Sequence, residues 1–184
     1  DWEKVISKDD RTIEYLKDTV TKIVNCICDS KDFISSKYPA LKGELCREVT
    51  FVTTQELEDL YPDLTSKERE NAFVREHKTV FIMQIGDTLR SGKKHDGRAP
   101  DYDDWSLNGD IMFYNEVLDC AYELSSMGIR VDKKALEYQL SKANANERRE
   151  LTFHKMLLEE KLPLTMGGGI GQSRLCALLL EKAH

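Results

Sequence analysis

Apolar residues recur every three to four positions between residues 11 and about 37, which is the repeat of an α-helix. Ile13, Leu16 and Val20 begin the series, and the spacing holds until just before Pro39. Because this interval puts apolar side chains on one helical face, it predicts a long amphipathic helix that ends ahead of the proline. Such a stripe is more often a core-facing surface than a functional site.

Two capping boxes mark the helices that follow. Thr53 stands three residues before Glu56, and Thr65 stands three residues before Glu68. In each pair the threonine side chain accepts from the first helical turn and the glutamate bonds back, so both pairs predict a helix start. The elements predicted around them are a strand over 48–53, a helix through Leu60, a helix over 66–77 and a buried strand over 79–85.

Two apolar segments on either side of residues 115–117 predict an antiparallel hairpin. If Glu116 and Val117 form a two-residue turn, Asp110 lies directly opposite Glu123, with Cβ atoms about 5 Å apart. Carboxylates that close repel unless a cation or a shared proton relieves them, and their oxygens suit Mg²⁺. The register therefore predicts a magnesium site, with two solvated carboxylates as the alternative. The predicted strands are 110–114 and 118–127.

The segment 166–175, MGGGIGQSRL, combines four glycines with an arginine ahead of an apolar helical segment, 175–180. A short strand is predicted over 164–166, so the glycines are expected to form a strand-to-helix turn with free N–H groups. Arg174 would project from the first helical turn toward phosphate oxygens. The spacing matches neither GxGxxG nor GxxxxGK[ST]. It favours a nucleotide site of another kind, with a tightly packed turn as the alternative.

Residues 86–105 form a charged segment with few structural signals. A loop of this length inside a domain is usually functional or disordered. Its basic residues contact phosphates in one interpretation and remain solvated in the other; they are Arg90, Lys93, Lys94 and Arg98.

The second strand of the hairpin ends in small residues followed by an arginine. Ser125 and Ser126 leave room for a ligand, and Arg130 has the planar fork of donors that clamps a carboxylate. Beyond it, Asp132 is expected to cap a helix through about 143, and Asn146 a second helix through about 161. The whole pattern predicts one α+β domain, with strands in the middle and at the end and helices covering one side.

Composition fits a single globular domain of 184 residues, with 40% hydrophobic and 33% charged residues. A net charge of −6 argues against a broad nucleic-acid surface. No apolar run approaches the ~20 residues that span a bilayer. The opening residues lack the charged-then-apolar pattern of a secretion leader, so secretion is not expected. The five cysteines are odd in number and lack CxxC spacing, so they are expected to be reduced thiols in a cytoplasmic protein.

Four motifs occur in order along the chain: APDYDDW at 99–105, LNGD at 107–110, ELSSMGIR at 123–130 and GGGIGQSRL at 167–175. Together they resemble the ammonia-dependent asparagine synthetase (aspartate–ammonia ligase) family. That family is similar in fold to the catalytic domain of class II aminoacyl-tRNA synthetases, especially those for aspartate and asparagine. The resemblance implies an α+β domain with a mainly antiparallel sheet flanked by helices.

The resemblance runs over residues 1–184 and implies that they are the C-terminal part of a single catalytic domain. An N-terminal portion and a short C-terminal tail would then be absent, in keeping with a chain that opens on Asp1 without methionine. The family also carries a longer loop between Ser106 and Leu107. The join at this point indicates either a natural shortening or missing residues.

By resemblance, the reaction joins L-aspartate and ammonia using ATP and Mg²⁺, through a β-aspartyl-adenylate, to give L-asparagine, AMP and pyrophosphate. Asp110 and Glu123 would hold the metal, and Arg174 would act in catalysis by gripping the nucleotide. The residues expected to contact ATP or AMP are Tyr102, Glu123, Leu124, Ser125, Gly167, Gly168, Gly169, Ile170 and Arg174.

The amino-acid substrate needs an anion for its α-ammonium and a cation for its α-carboxylate. The resemblance assigns the first role to Asp1 and Asp103 and the second to Arg130, with Ser126 lining the same pocket. Asp103 is also expected to act in catalysis, and Arg98 to lie beside the substrate. A cytoplasmic homodimer without nucleic-acid or membrane partners is implied.

Two other functions fit the same motifs less well. One is a fragment of an aspartyl- or asparaginyl-tRNA synthetase, against which the acidic balance counts. The other is a non-catalytic relative that binds AMP or asparagine, against which retention of the carboxylate pair and Arg174 counts.

Overall fold

The computed structural model describes residues 1–183, which contain six strands, six α-helices and one 3₁₀ helix. The strands are β1 (Trp2–Val5), β2 (Thr50–Thr53), β3 (Thr79–Met83), β4 (Asp103–Asn115), β5 (Cys120–Arg130) and β6 (Thr165–Ile170). The α-helices are α1 (Ile13–Lys37), α2 (Thr54–Leu60), α3 (Ser66–His77), α4 (Lys133–Lys142), α5 (Thr152–Leu158) and α6 (Gln172–Leu179). The 3₁₀ helix is Asn146–Glu150.

The six strands form one sheet in the order β1-β6-β5-β4-β3-β2. Only β2 and β3 pair in parallel, and every other neighbouring pair is antiparallel. The α+β class with a mainly antiparallel sheet is therefore confirmed. None of the helices within residues 1–183 is both long and apolar enough to cross a bilayer.

Local signals placed the N-terminal helices well. Thr12 caps α1 by accepting from the Tyr15 backbone, and the helix ends at Lys37 as Pro39 requires. Both capping boxes are present, from Thr53 to α2 and from Thr65 to α3. Here side-chain chemistry within one turn decides where the helix begins, so the sequence alone suffices.

The expectation that helices cover only one side of the sheet is wrong. Strand β3 is buried at every position, so both of its faces need cover. Phe81 packs in a core with α1 and α6, whereas its neighbour Ile82 packs on the other face with Leu57 of α2 and Phe73 of α3. Helix α2 packs against β2, and α3 contacts β3, β4 and the start of β5, so the two helices cover only part of that face.

The single helix predicted over 146–161 is also wrong in two respects. The segment divides into the 3₁₀ helix and α5, because Leu151 adopts an extended backbone between them. Asn146 is not a cap, since the residue before the 3₁₀ helix is Ala145 and no side chain caps it.

The glycine segment differs most from expectation. Gly167, Gly168 and Gly169 do not form a strand-to-helix turn but lie within β6, between β1 and β5. The helix begins only at Gln172, with Gly171 as its N-cap. A Cβ on Gly168 would stand 2.6 Å from the Cβ of Met127, so this glycine lets two strands pack closely on the core side. Pairing on both edges overrides the preference of glycine for turns.

Candidate active site

The open face of the sheet lies opposite α1 and α6 and carries most of the predicted functional residues. Which residues lie on this face follows from strand alternation, because every second residue of a strand points to the same face. Ser126 on β5 pairs with Asp110 on β4 and with Gly169 on β6, so all three lie on this face. The residues of the face are Asp1, Glu3, Asp103, Asp110, Glu123, Ser126, Arg130, Gly167 and Gly169.

The predicted hairpin register is wrong, although the two carboxylates still lie on one face of the sheet. Asp110 lies opposite Ser126, and Glu123 lies opposite Met112. The turn has four residues instead of two, since Asn115 pairs with Cys120 and its side chain accepts from the backbone inside the turn. A bulge then adds one more residue on β5.

The bulge keeps the two carboxylates on one face. Asp110 and Met112 are two residues apart on β4 and so share a face, and Glu123 is paired with Met112. The extra residue, Leu124, turns into the core. Glu123 is close enough to Asp110 for its charge to raise the pKa of that carboxyl.

Arg174 completes this end of the face. Its Nη1 lies 3.0 Å from Glu123 Oε1 and donates to the Glu123 backbone oxygen at 3.0 Å. Asp110 accepts from Arg98, which reaches it from the loop before β4. Two carboxylates and two guanidinium groups therefore meet beside the end of β6, and half of the Arg174 side chain is exposed to solvent.

Burial raises the pKa of Asp110 to about 6. The charge of Glu123 adds to this rise in pKa, and the guanidinium of Arg98 opposes it. The net rise means that Arg98 only partly offsets the cost of ionising Asp110. Additional positive charge placed here would relieve that cost.

Arg130 forms the other end of the face, where it is clamped between two carboxylates. Its Nη2 donates to Glu3 Oε2 at 2.8 Å, and its Nη1 donates to Asp103 Oδ1. The guanidinium carbon lies 4.0 Å from the centre of the Tyr102 ring. Burial raises the pKa of Asp103 and Arg130 opposes this, whereas at the more exposed Glu3 burial is outweighed by hydrogen bonds from Arg130 and Thr165, which lower the pKa.

Between the Arg174 end and the Arg130 end of the face, β6 contributes two glycines, Gly167 and Gly169, and therefore no side chain. A Cβ on Gly169 would stand 2.5 Å from Asp1 Oδ1, and one on Gly167 would overlap Glu3 and Arg130. Asp1 therefore lies over the sheet beside Gly169. Along β5 the distance from Glu123 to Arg130 is about 20 Å at the usual strand rise once the bulge residue is discounted, enough for a nucleotide and an amino acid end to end.

The loop of residues 86–102 is anchored at several points. Ser91 Oγ donates to Glu58 of α2 at 2.6 Å, and His95 Nε2 lies 3.1 Å from Glu70 of α3. At the far end Asp101 lies 2.9 Å from His154 of α5. These contacts hold the segment that delivers Arg98 and Tyr102 to the face, whereas the other three basic residues of the loop, Arg90, Lys93 and Lys94, are exposed to solvent.

Four residues expected to contact the nucleotide are directed to the opposite side of the sheet, three by their side chains and Gly168 by its strand register. Strand alternation and the bulge direct them to the core side, where α1 and α6 pack. Any contact between these residues and a ligand on the open face would come from backbone atoms. They are Leu124, Ser125, Gly168 and Ile170.

Two residues of the face are not predicted in these roles from the sequence: Glu3 is not singled out, and Arg98 is expected beside the substrate and not against Asp110. Glu3 follows Asp1 by two residues, so strand alternation on β1 would have placed both on one face. Arg98 gives no such signal, since its partner Asp110 belongs to another element and the loop path decides the contact. The join between Ser106 and Leu107 lies inside β4, in an irregular stretch where four residues of β4 lie opposite a single residue of β5, between the paired Asp103 and Asn108.

The donor set fits a hard divalent cation. Asp110 and Glu123 offer only oxygen, and Mg²⁺ typically takes one or two carboxylates together with substrate phosphates and water. The incomplete neutralisation of Asp110 is a second observation in favour. Among residues 1–183 no group of three or more His, Cys, Asp or Glu side chains is arranged to hold a metal, so phosphates would have to supply further ligands.

The same architecture occurs in solved synthetases. The chain is similar over 99% of its length to Entamoeba histolytica asparaginyl-tRNA synthetase solved with asparaginyl-adenylate, with a TM-score of 0.59, 16% identity and 43% of that chain covered. For aspartyl-tRNA synthetase from the same organism the TM-score is 0.58 at 16% identity, covering 97% of this chain and 39% of that one. The fold is that of the class II aminoacyl-tRNA synthetase catalytic domain.

Sequence comparison then identifies the family. The family model for aspartate–ammonia ligase matches residues 1–184, and the chain belongs to this family. It is 63% identical over 184 residues to the aspartate–ammonia ligase of Clostridium tetani (strain Massachusetts / E88), covering all of this chain and 54% of that protein. It is 59% identical to that of Ruminiclostridium cellulolyticum, covering 55% of that protein. The chain thus spans about half the length of the curated relatives it matches, and a tRNA synthetase fragment is not favoured.

Proposed function

We propose that this chain carries much of the active site of an enzyme that makes L-asparagine from L-aspartate, ammonia and ATP, with AMP and pyrophosphate as the other products. Family membership supports the reaction. The observation that carries the assignment to this face is its two-ended arrangement. A cluster suited to phosphates lies at Asp110, Glu123 and Arg174, and a cluster suited to an amino acid lies at Arg130.

The reaction proceeds in two steps. A side-chain carboxylate oxygen of aspartate attacks the α-phosphorus of ATP, the bond to the bridging oxygen breaks, and pyrophosphate leaves. Ammonia then attacks the acyl carbon of the β-aspartyl-adenylate, AMP departs with the electrons of the C–O bond, and the nitrogen loses a proton. Because the first step joins two anions, the protein must supply alignment and positive charge more than a nucleophile.

Arg174 and Arg98 supply that charge in the proposal. Arg174 is half exposed and holds Glu123 from one side, which leaves other donors of its guanidinium free for phosphate oxygens. Arg98 approaches Asp110 from the loop, and its Nε is buried without a protein partner. An unused buried donor beside the carboxylate pair supports a role in contacting an anionic substrate.

Asp110 and Glu123 are proposed to hold Mg²⁺. When bound, the ion would offset the charge of the polyphosphate and of the departing pyrophosphate. Ionised Asp110 is the form able to bind a cation, so the raised pKa of this carboxyl makes metal binding favour higher pH.

The amino-acid end is proposed to bind aspartate with its side chain toward the phosphates. Arg130 would bind the α-carboxylate, and Asp1 and Asp103 the α-ammonium. Glu3 and Asp103 hold Arg130 in place from two sides, and Tyr102 packs on its guanidinium. Ser126 and Gly169, halfway along the face, would border the reacting carboxylate. Tyr102 and the backbone of Gly167, Gly168 and Gly169 would line the same channel.

The setting is proposed to be the cytoplasm, which the free thiols at all five cysteines support. A homodimer is proposed from the class II fold. Light scattering coupled to size-exclusion chromatography of the full-length protein measures its mass directly, and a monomeric mass would contradict the dimer.

The proposed reaction is tested by measuring pyrophosphate release by the full-length protein with ATP, Mg²⁺, L-aspartate and an ammonium salt. Omitting each component in turn should abolish formation of L-asparagine. Turnover with tRNA instead of ammonia as the acyl acceptor would contradict the proposal.

A further inference from the structure

Gln139 of α4 is fully buried and makes three hydrogen bonds to the backbone that surrounds Asp103. Its Nε2 donates to the carbonyl oxygens of Pro100 and Asp103, at 3.0 Å each. Its Oε1 accepts from the Trp105 backbone N–H at 2.8 Å. Both amide protons and the amide oxygen are therefore used on one short segment of chain.

The segment that Gln139 holds is the point where the anchored loop becomes strand β4. Tyr102 and Asp103 lie between the bonded residues Pro100 and Trp105, and both contact Arg130. Asp103 of β4 pairs with Arg130 of β5, but the next residue of β4 that pairs with β5 is Asn108. The sheet alone leaves residues 104–107 without regular pairing, so the position of Asp103 depends on other contacts.

Helix α4, which carries Gln139, is itself held in place by a buried apolar cluster. Leu136 and Leu140 of the same helix are fully buried and pack with Val131 and Ala145 in a separate small core. A glutamine held by such a helix loses little further freedom when it bonds to the strand. The three hydrogen bonds therefore fix the backbone around Asp103 relative to α4.

We propose that Gln139 is a positioning residue for the amino-acid end of the site, acting through the Pro100–Trp105 backbone to set Asp103 against Arg130. This role rests on the proposed function. It predicts a selective effect on aspartate binding, because the side-chain hydrogen bonds of Gln139 all go to the segment that carries Asp103 and none goes to Glu123, Arg174 or Asp110 at the phosphate end.

The test compares the Michaelis constants for L-aspartate and for ATP in Gln139→Met, which keeps the length of the side chain and removes its polar atoms. In pyrophosphate release by the full-length protein, the constant for L-aspartate should rise about tenfold or more, because buried carbonyl and N–H groups lose their partners. The constant for ATP should change by less than about twofold, since only uniform damage to the site moves both.

A second variant separates the hydrogen bond that Gln139 accepts from Trp105 from the two that it donates to Pro100 and Asp103. Gln139→Glu keeps an oxygen for the Trp105 N–H and replaces the two donated bonds by repulsion between oxygens. Hydrogen exchange measured by mass spectrometry over residues 100–106 should show faster exchange in Gln139→Met. In Gln139→Glu the Trp105 amide should stay protected while the aspartate constant still rises.

The matched control is Leu140→Ala, on the next residue of the same helix. It opens a cavity in the small core and lowers thermal stability, yet it leaves the bonds to Asp103 in place. The ratio of the two Michaelis constants should stay that of the wild type. An equal rise in Leu140→Ala, or an unchanged ratio in both Gln139 variants, would overturn the role of Gln139. Absence of aspartate-dependent pyrophosphate release by the wild type would instead refute the proposed function, and this role with it.

Discussion

Arg174 and Glu123 form an ion pair of 3.0 Å although 51 residues separate them in the chain. The contact joins the first turn of α6 to the bulged part of β5, directly beside the carboxyl of Asp110. The glycine strand β6 makes this approach possible, because it lies flat between β1 and β5 before the chain turns into α6. The phosphate end of the proposed site is thus assembled from three separate segments.

Replacing Arg174 should affect catalysis far more than folding. Exposed ion pairs contribute about 0–1 kcal/mol to stability, so Arg174→Ala should unfold close to the wild-type temperature. Its kcat/KM for ATP should fall by about a hundredfold or more, as expected for a donor that stabilises charge in the transition state. Arg47→Ala is a matched control, because Arg47 is similarly exposed and pairs with Asp29 and Asp32 away from the site. Equal kinetic losses in the two variants would argue against a specific role for Arg174.

Asp110 should make the stability of the ligand-free protein depend on pH. Its pKa is raised from 3.8 to about 6 on folding, so between these values the folded state binds more protons than the unfolded state. Stability attributable to this group is therefore highest below about pH 4 and falls as the pH rises through about 6. Relative to Asp110→Asn, the wild type should lose about 3 kcal/mol across this window, judged from the size of the pKa shift. Urea unfolding at a series of pH values measures the difference, and parallel curves for the two proteins would contradict it.

Arg130 should be needed for both stability and aspartate binding. Arg130→Ala leaves Asp103 buried without its cation, which typically costs about 3–5 kcal/mol. The milder Glu3→Gln removes one clamp from the half-exposed side and should cost much less. Calorimetric titration with L-aspartate should show lost affinity in Arg130→Ala and reduced affinity in Glu3→Gln. Wild-type affinity in a folded Arg130→Ala protein would exclude Arg130 as the carboxylate-binding residue.

Neighbouring glycines of β6 should respond differently to replacement by alanine. In Gly168→Ala the new methyl meets Met127 and the Ser126 backbone, so stability should fall by about 1–3 kcal/mol from overpacking. In Gly169→Ala it meets only the end of the Asp1 side chain, which can move, so stability should hardly change. Aspartate affinity should nevertheless fall in Gly169→Ala, because Asp1 is displaced. Thermal unfolding and aspartate titration on both variants check the pair, and a reversed pattern would place Gly169 in the core.

The sequence predicts elements wherever the decisive interactions are local. The bounds of α3 follow from the capping box at Thr65, and the burial of β3 follows from its unbroken apolar run. Motif order also predicts the fold, since the resemblance draws on four separate segments at once. The sequence does not predict that the glycines belong to strand β6, because their extended conformation depends on pairing with β1 and β5, which are distant in the chain.

The predicted geometry of the candidate site differs from the structure in how its residues are brought together. Asp110 and Glu123 share a face as predicted, yet for a different reason, since a longer turn and a bulge replace the predicted direct pairing. The turn length depends on the Asn115 side chain, which gives no distinct signal in the sequence. The contact of Arg98 with Asp110 depends on a loop whose anchors come from α2, α3 and α5.

The proposed roles of Asp110, Glu123 and Arg174 all concern one polyphosphate bound together with Mg²⁺. The most direct test is the affinity of the full-length protein for ATP and for AMP, measured by calorimetry with Mg²⁺ and with EDTA. We expect Mg²⁺ to tighten the binding of ATP much more than the binding of AMP, and the Asp110→Asn, Glu123→Gln double variant to lose this difference. A double variant that retains the full Mg²⁺ dependence of ATP binding would contradict these roles.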